Sequence, residues 1–143
     1  MKVIFNKIPP RFYIFLSGIL LGFSIIFAEI GLISYVALVP LALTIFKRIK
    51  GGEYRLKQAY TDGLVFYMAF DLVAFYWLVY FHPTLGVAGI NGAAAIGVIA
   101  LGWIGLSALQ SVFSAFVFVI IAKISKTQLL KKHTIMLAPL VAS

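Results

Sequence analysis

The chain has 143 residues, of which 63% are hydrophobic and only 11% are charged. Soluble domains carry about a quarter charged residues, so this composition predicts an all-α integral membrane protein rather than a soluble enzyme. The chain has no cysteine, which excludes a disulfide framework, a thiolate nucleophile and a thiolate metal site within it. Its net charge of +8 does not indicate a nucleic-acid partner, because the basic residues lie in short flanks between apolar stretches.

Four apolar stretches follow one another along the chain and predict a bundle of about four transmembrane helices over residues 12–122. A spanning helix needs about 20 predominantly apolar residues, and the first two stretches are short for this, which favours a tight hairpin around Glu29. The glycine-rich residues after Val87 are expected to form a loop or an interfacial piece. We place the spans at about 12–28, 30–46, 63–81 and 98–121.

Basic segments flank the bundle at both ends. Residues 1–11 are interpreted as the basic flank of an uncleaved anchor, because no small-x-small cleavage site follows. Residues 123–143 hold a basic cluster and then the apolar IMLAPLVAS. This last stretch is too short to cross a bilayer, so it is either an interfacial tail or the start of a fifth helix in a longer product.

The distribution of charge predicts the orientation. All 12 basic residues fall on one side of the membrane if the chain crosses it four times. The positive-inside rule then places both ends of the chain and the middle loop in the cytoplasm. Tyr76, Trp77 and Tyr80 end the third span, where they are candidates for the outer membrane interface or for packing between helices.

Asp71 lies within the third span, where a charged side chain costs about 2.5–3.5 kcal/mol. Tyr67, one helical turn earlier, offers it a hydroxyl. Two interpretations stay open: a neutral acid that joins helices through a hydrogen bond, or an intramembrane site for a proton or a cation. Asp62, beside the basic loop, is expected to be solvated.

Small residues predict close packing of the fourth segment. Gly89, Ala93, Gly97 and Gly105 share one helical face, and small residues at this spacing let helices approach closely. Ser107, Ser111 and Ala115 continue a small face. Gln110 is a candidate for a hydrogen bond across the bundle. No nucleophile, base and orienting residue stand at a recognisable spacing, and we assign no catalytic residue, metal ligand or cofactor.

The order of several pieces resembles the N-terminal membrane region of bacterial apolipoprotein N-acyltransferase. The recurrent pieces are Val39-Pro40-Leu41, Gly63, Tyr76-Trp77-Leu78, Gly86 and Ala138-Pro139. They stand within GFSIIFAEIG, YVALVPLALTIFKR, AYTDGLVFYMAFDLVAFYWLVYFHPTLG, ALQSVFSAFVFVIIAKI and HTIMLAPLVAS.

Three features depart from the family. The proline-rich turn that often follows the first span is absent from Ile25–Ile30. The outer turn is Leu85-Gly86-Val87 rather than Phe-Gly-Gly. The family associates no acid with position 71, so Asp71 inherits no role from it.

The resemblance implies a bacterial cytoplasmic membrane protein that contacts phospholipids. In the family, an extracytoplasmic nitrilase-like domain uses a Glu-Lys-Cys triad to move an acyl chain from a phospholipid to the N-terminal cysteine of a lipoprotein. None of that triad can be placed here. We therefore expect a fragment that is inactive alone, whose partners include a nitrilase-like domain or subunit and lipoprotein substrates.

Two other hypotheses compete with this one. A small four-helix transporter or channel would use Asp71 as a proton or cation site, and Asp71→Asn would then abolish transport. In the acyltransferase hypothesis the same change would mainly alter stability. The third hypothesis is a membrane scaffold without activity.

Overall fold

The structure is a computed structural model that describes residues 9–27, 32–52 and 54–126. The turn around Glu29, most of the basic N-terminal segment and the apolar residues near the C-terminus lie outside the described residues. The predictions made for them therefore stay predictions.

The described residues are predominantly helical, with no strand, which confirms the all-α prediction. The predicted spans fall largely on these helices, although the fourth helical stretch begins earlier than expected, so much of the glycine-rich stretch is helical rather than a loop. The helices are α1 (Pro10–Ile26), α2 (Leu32–Lys50), α3 (Leu56–Ala74), a 3₁₀ segment (Phe75–Phe81), α4 (His82–Val87), α5 (Gly92–Ser114) and α6 (Phe116–Lys126).

Local sequence sets several of these boundaries. Pro10 begins α1, because proline has the φ of a first helical residue and lacks the N–H that would go unpaired there. The end of α2 is set by Gly52, whose φ of +72° is left-handed and disfavours other residues. The last turn of α2 carries Lys47, Arg48 and Lys50, whose positive charges are favourable at a helix C-terminus.

Two helical stretches are long and apolar enough to cross a membrane. Leu56–Val87 has a mean hydropathy of 1.8 and Gly92–Ser125 has one of 2.2. Only 17% and 22% of their apolar windows are buried inside the bundle; most of α3 is half-buried, and most of α5 is exposed. The central helix of a soluble protein would be mostly buried, and an apolar exterior of this extent is unusual for a soluble monomer.

Helix α3 is the central helix of the bundle. It packs against α1 on one side and against α5 and α6 on the other, while α2 packs against α1. The buried hydrophobic cluster is small; its members are Ile14, Leu41, Tyr54, Ala59, Phe66, Phe118 and Ala122. Close approach of the helix backbones adds to this packing.

Glycines permit that close approach at α3. An ideal Cβ on Gly18 of α1 would lie 2.3 Å from the carbonyl oxygen of Phe66, and one on Gly22 would lie 2.6 Å from Cβ of Val73. On the other side of α3, a Cβ on Gly63 would lie 2.9 Å from Cα of Ala115. These three glycines sit where two helices touch.

The predicted close-packing face of α5 is wrong in its glycine-rich part, whereas its continuation through Ser107, Ser111 and Ala115 is buried. Gly97 and Gly105 have no atom of a neighbouring helix within 4 Å of an ideal Cβ in the described part of the chain, and Gly89 lies in a turn with φ of +80°. Ala93 is exposed. Helix α5 instead contacts α3 through the opposite face, which carries Ala95, Ser107 and Ser111.

Candidate functional site

Helix α3 carries two buried carboxylates, Asp62 and Asp71, which are 0% and 1% exposed. They stand nine residues apart, which is about 2.5 turns of a helix with 3.6 residues per turn. The two side chains therefore point to opposite faces of α3. Because α3 has neighbours on both faces, each carboxylate is enclosed by a different set of helices.

Asp62 is the centre of an ion-pair cluster that joins three helices. Arg48 of α2 donates a short hydrogen bond from Nη1 to Oδ2 of Asp62. Arg11 of α1 places Nε at 3.9 Å from Oδ1. Arg48 is 13% exposed and Arg11 is 62% exposed, so the Arg48 pair is the buried one. The expectation that Asp62 is solvated was wrong, because the ends of α1 and α2 cover it.

Tyr54 lies beside this cluster, just before α3. Its hydroxyl is buried and has no hydrogen-bond partner within the described ranges. Burial raises the pKa of Tyr54, and the negative charge of Asp62 raises it further by a smaller amount. The phenol therefore stays neutral beside the ion pair, and it contributes packing rather than charge.

Asp71 faces α5, where Ser111 contacts it. The Ser111 Oγ lies 3.1 Å from Oδ2 of Asp71 and 2.6 Å from the backbone carbonyl oxygen of Ser107. Ser107 and Ser111 are one turn apart on α5, and both are buried. Two atoms of this cluster, Oδ1 of Asp71 and Oγ of Ser107, are buried without a hydrogen-bond partner among the residues described.

Ser111, rather than Tyr67, supplies the hydroxyl that contacts Asp71. Tyr67 is close enough for the carboxylate to act on it electrostatically, but its ring packs edge-on against Phe66 and Phe118, with centroids 5.1 and 6.0 Å away. The prediction that Tyr67 offers its hydroxyl to Asp71 was therefore wrong. The contacting residue comes from a helix 40 positions further along the chain.

Gln110 does not make the predicted hydrogen bond across the bundle. It is exposed on the outward face of α5, where it lines a shallow depression of about 340 Å³ with Leu106, Leu109, Phe113 and Ser114. The prediction failed because Gln110 precedes Ser111 by one residue. That step turns its side chain by about 100° from the face that meets α3.

The aromatic residues predicted for the outer interface lie in the 3₁₀ segment, and all are exposed. Tyr76 and Tyr80 form an edge-on pair with ring centroids 6.2 Å apart, and Trp77 lies 5.6 Å from Phe81. Their ring contacts are with other aromatic residues of the same segment. Their position at a membrane interface stays a prediction.

A groove runs over α3 between α1 and α5. It has a volume of about 420 Å³ and is open to the outside of the bundle. The lining is apolar except for Ser111, and its members are Phe15, Leu64, Val65, Met68, Ala108, Ser111 and Val112. The sulfur of Met68 lies 3.9 Å from Oγ of Ser111, so the Asp71 cluster stands immediately behind the groove wall.

Sequence reasoning missed two residues that organise these sites, Arg48 and Trp103, and it expected only a packing role for Ser111. The Trp103 indole N–H donates to the carbonyl oxygen of Leu72 at 3.0 Å, which fastens α5 to α3 beside Asp71. Within the described residues, no three His, Asp or Glu side chains form a group that could hold a metal ion.

Comparisons of the chain with protein-family models, with curated proteins and with solved structures found no match. The resemblance to the N-acyltransferases therefore stays a proposal.

Proposed function

We propose that this chain is the membrane-embedded helical part of an N-acyltransferase-like enzyme of bacterial lipoprotein maturation. In this proposal the groove between α1, α3 and α5 holds an acyl chain of a membrane phospholipid. The groove is the observation that carries the proposal, because its position and its lining suit a long apolar ligand that arrives from the side.

The chemistry of the groove supports this choice of ligand. Its volume of about 420 Å³ lies within the range of about 300–1,000 Å³ that is typical of ligand sites. Its one polar lining residue, Ser111, already contacts Asp71 and the backbone of Ser107. An apolar groove without a free charged group favours a hydrocarbon chain over a polar metabolite.

The arrangement of the helix ends supports a membrane setting. Arg11 near the start of α1, Arg48 near the end of α2 and Asp62 near the start of α3 meet at one end of the bundle. Successive helices therefore run in opposite directions, and the positively charged loop between α2 and α3 lies at the same end as the start of α1. The proposal places this end in the cytoplasm.

The reaction of the family needs a thiol nucleophile, and this chain has no cysteine. The proposal therefore assigns the Glu-Lys-Cys triad to residues outside these 143, in a nitrilase-like domain or subunit. The role of this chain is to hold the acyl chain in the membrane and to support the catalytic part. The lipoprotein substrate would bind on the extracytoplasmic side of the membrane.

Photocrosslinking with a phosphatidylethanolamine that carries a diazirine in its acyl chain tests the groove. In lipid nanodiscs, we expect crosslinks to concentrate on Val65, Met68 and Val112. Ala108→Trp fills the groove and should lower this crosslinking severalfold. Leu109→Trp, on the outward face of α5, is the matched control and should leave it unchanged. Crosslinks spread evenly over the exposed apolar residues, and unaffected by Ala108→Trp, would contradict the acyl-chain role.

Sizing the native product in its own membrane tests the enzyme assignment separately. We expect a domain with Glu, Lys and Cys, either in the same polypeptide or as a bound subunit. A native product that carries no such domain and binds none would overturn the acyltransferase assignment, even if the groove binds lipid.

A further inference from the structure

We propose that Asp71, Ser107 and Ser111 form a binding site for a small monovalent cation, and that sodium is the ion to which this oxygen cluster is suited. The inference stands independently of the proposed enzyme function, because it rests on buried oxygen atoms behind the groove rather than on its apolar lining.

The cluster concentrates oxygen atoms in a place closed to solvent. Asp71, Ser107 and Ser111 are at most 1% exposed. The carboxylate of Asp71 and the hydroxyl of Ser111 are in contact at 3.1 Å, and Ser107 stands one turn away on the same face of α5. Carboxylate and hydroxyl oxygens are ligands of hard cations.

Counting protons shows what the cluster lacks. Ser111 has one hydroxyl proton, and its shortest contact, at 2.6 Å, is the carbonyl oxygen of Ser107. When the proton is used there, Oγ of Ser111 and Oδ2 of Asp71 face each other as two acceptors. Either a proton on Asp71 or a bound cation between the helices then stabilises the contact.

A proton on Asp71 would meet only part of this requirement. It could join Oδ2 to Ser111, but Oδ1 of Asp71 and Oγ of Ser107 would stay buried without a hydrogen-bond partner. A buried polar atom left in this state costs about 1–3 kcal/mol. A cation can accept electron pairs from several oxygens at once, so it satisfies atoms that one proton leaves unpaired.

Charge balance also favours a cation. Both ion pairs found among the described residues belong to Asp62, so no basic side chain there neutralises Asp71. The polar groups shown near it are Ser111, which contacts its Oδ2, and Tyr67 on its own helix. The indole N–H of Trp103 is bonded to the neighbouring Leu72. An uncompensated carboxylate inside an apolar bundle is strongly unfavourable.

Two helix breaks lie next to the cluster. Helix α3 changes to a 3₁₀ segment at Phe75, one turn after Asp71, and the α5–α6 break falls at Ala115, one turn after Ser111. Short 3₁₀ stretches within a long helix often mark functional positions.

Thermal unfolding of the full chain in detergent tests the site, with sodium chloride exchanged for N-methylglucamine chloride at constant ionic strength and pH. A ligand that binds only the folded state raises the Tm in proportion to the logarithm of its concentration above the Kd. We expect this rise for the unmodified chain and its loss in both Asp71→Asn and Ser107→Ala.

Ser17→Ala is the matched control, because Ser17 is equally buried but its hydroxyl donates within α1, to the carbonyl oxygen of Tyr13 at 2.8 Å. It should keep the sodium response.

Binding of radioactive sodium is measured directly in Ser107→Ala, which keeps the Asp71 charge, and it should be severalfold weaker than in the unmodified chain. This second variant keeps the test valid if Asp71→Asn fails to fold. A Tm that is equal in both salts, or a response that survives in Ser107→Ala, would overturn the site. A Tm that depends on pH but not on sodium would also overturn it, in favour of a proton.

Discussion

Arg48→Ala is expected to lower the free energy of unfolding by about 3–5 kcal/mol, which is the usual cost of removing one partner of a buried ion pair. The substitution leaves Asp62 as an uncompensated charge at a side chain that is 0% exposed. Arg11 cannot replace the lost partner, since its Nε lies 3.9 Å from the carboxylate and its side chain is largely exposed. Unfolding of the purified chain by SDS in mixed micelles measures the change.

Two matched variants separate this effect from a general loss of charge. Arg11→Ala removes an exposed partner of the same carboxylate, so we expect a loss of only about 0–1 kcal/mol. The double variant Arg48→Met with Asp62→Leu removes both buried charges and should recover most of the stability. If Arg48→Ala costs no more than Arg11→Ala, the buried pair does not hold α2 to α3.

Gly18→Ala is expected to destabilise the bundle by about 1–3 kcal/mol, the range for adding atoms to a tightly packed site. The new methyl group would meet the backbone oxygen of Phe66 at 2.3 Å, and a backbone atom cannot rotate away as a side chain can. Helices α1 and α3 must therefore separate. Gly63→Ala should act similarly between α3 and Ala115, where two backbone atoms lie at 2.9 Å.

Glycines of α5 provide the control for this prediction. Among the residues that the structure describes, Gly102 and Gly105 have no neighbouring helix within 4 Å of an ideal Cβ. Alanine at either position should leave stability unchanged or raise it by up to about 1 kcal/mol, because alanine has the higher helix propensity. Equal effects of Gly18→Ala and Gly105→Ala in the same micelle assay would show that α1 and α3 are not in close contact.

The contrast between these glycines shows what the sequence could and could not predict. Apolar runs of sufficient length predicted the helices. Small residues recur in both α1 and α5, so spacing alone did not tell which helix has a close neighbour. The sequence pattern pointed to Gly97 and Gly105, whereas the structure brings Gly18 and Gly63 to helix contacts. Helix adjacency depends on long-range packing that one periodic pattern does not encode.

The partners of the two α3 carboxylates also depend on long-range packing. Their spacing alone indicates opposite faces, so it could have shown that α3 needs polar partners on two sides. The partners themselves were not predictable by local spacing, because Arg48 is 14 positions from Asp62 and Ser111 is 40 positions from Asp71. An acid in an apolar run indicates a special role, which makes Asp71 a candidate. Asp62 stands close to a basic loop, which indicates a solvated side chain.

The central claim is that the helices cross a membrane with the α2–α3 loop on the cytoplasmic side and the α4–α5 turn on the other. Because the chain has no cysteine, Gly51→Cys and Ala88→Cys each introduce a unique thiol at an exposed position. A membrane-impermeant maleimide, applied to spheroplasts and to inverted vesicles, measures the side of each thiol. The account predicts that Ala88→Cys reacts in spheroplasts and that Gly51→Cys reacts only in inverted vesicles. Labelling of both from the same side, or recovery of the chain in the soluble fraction, would contradict it.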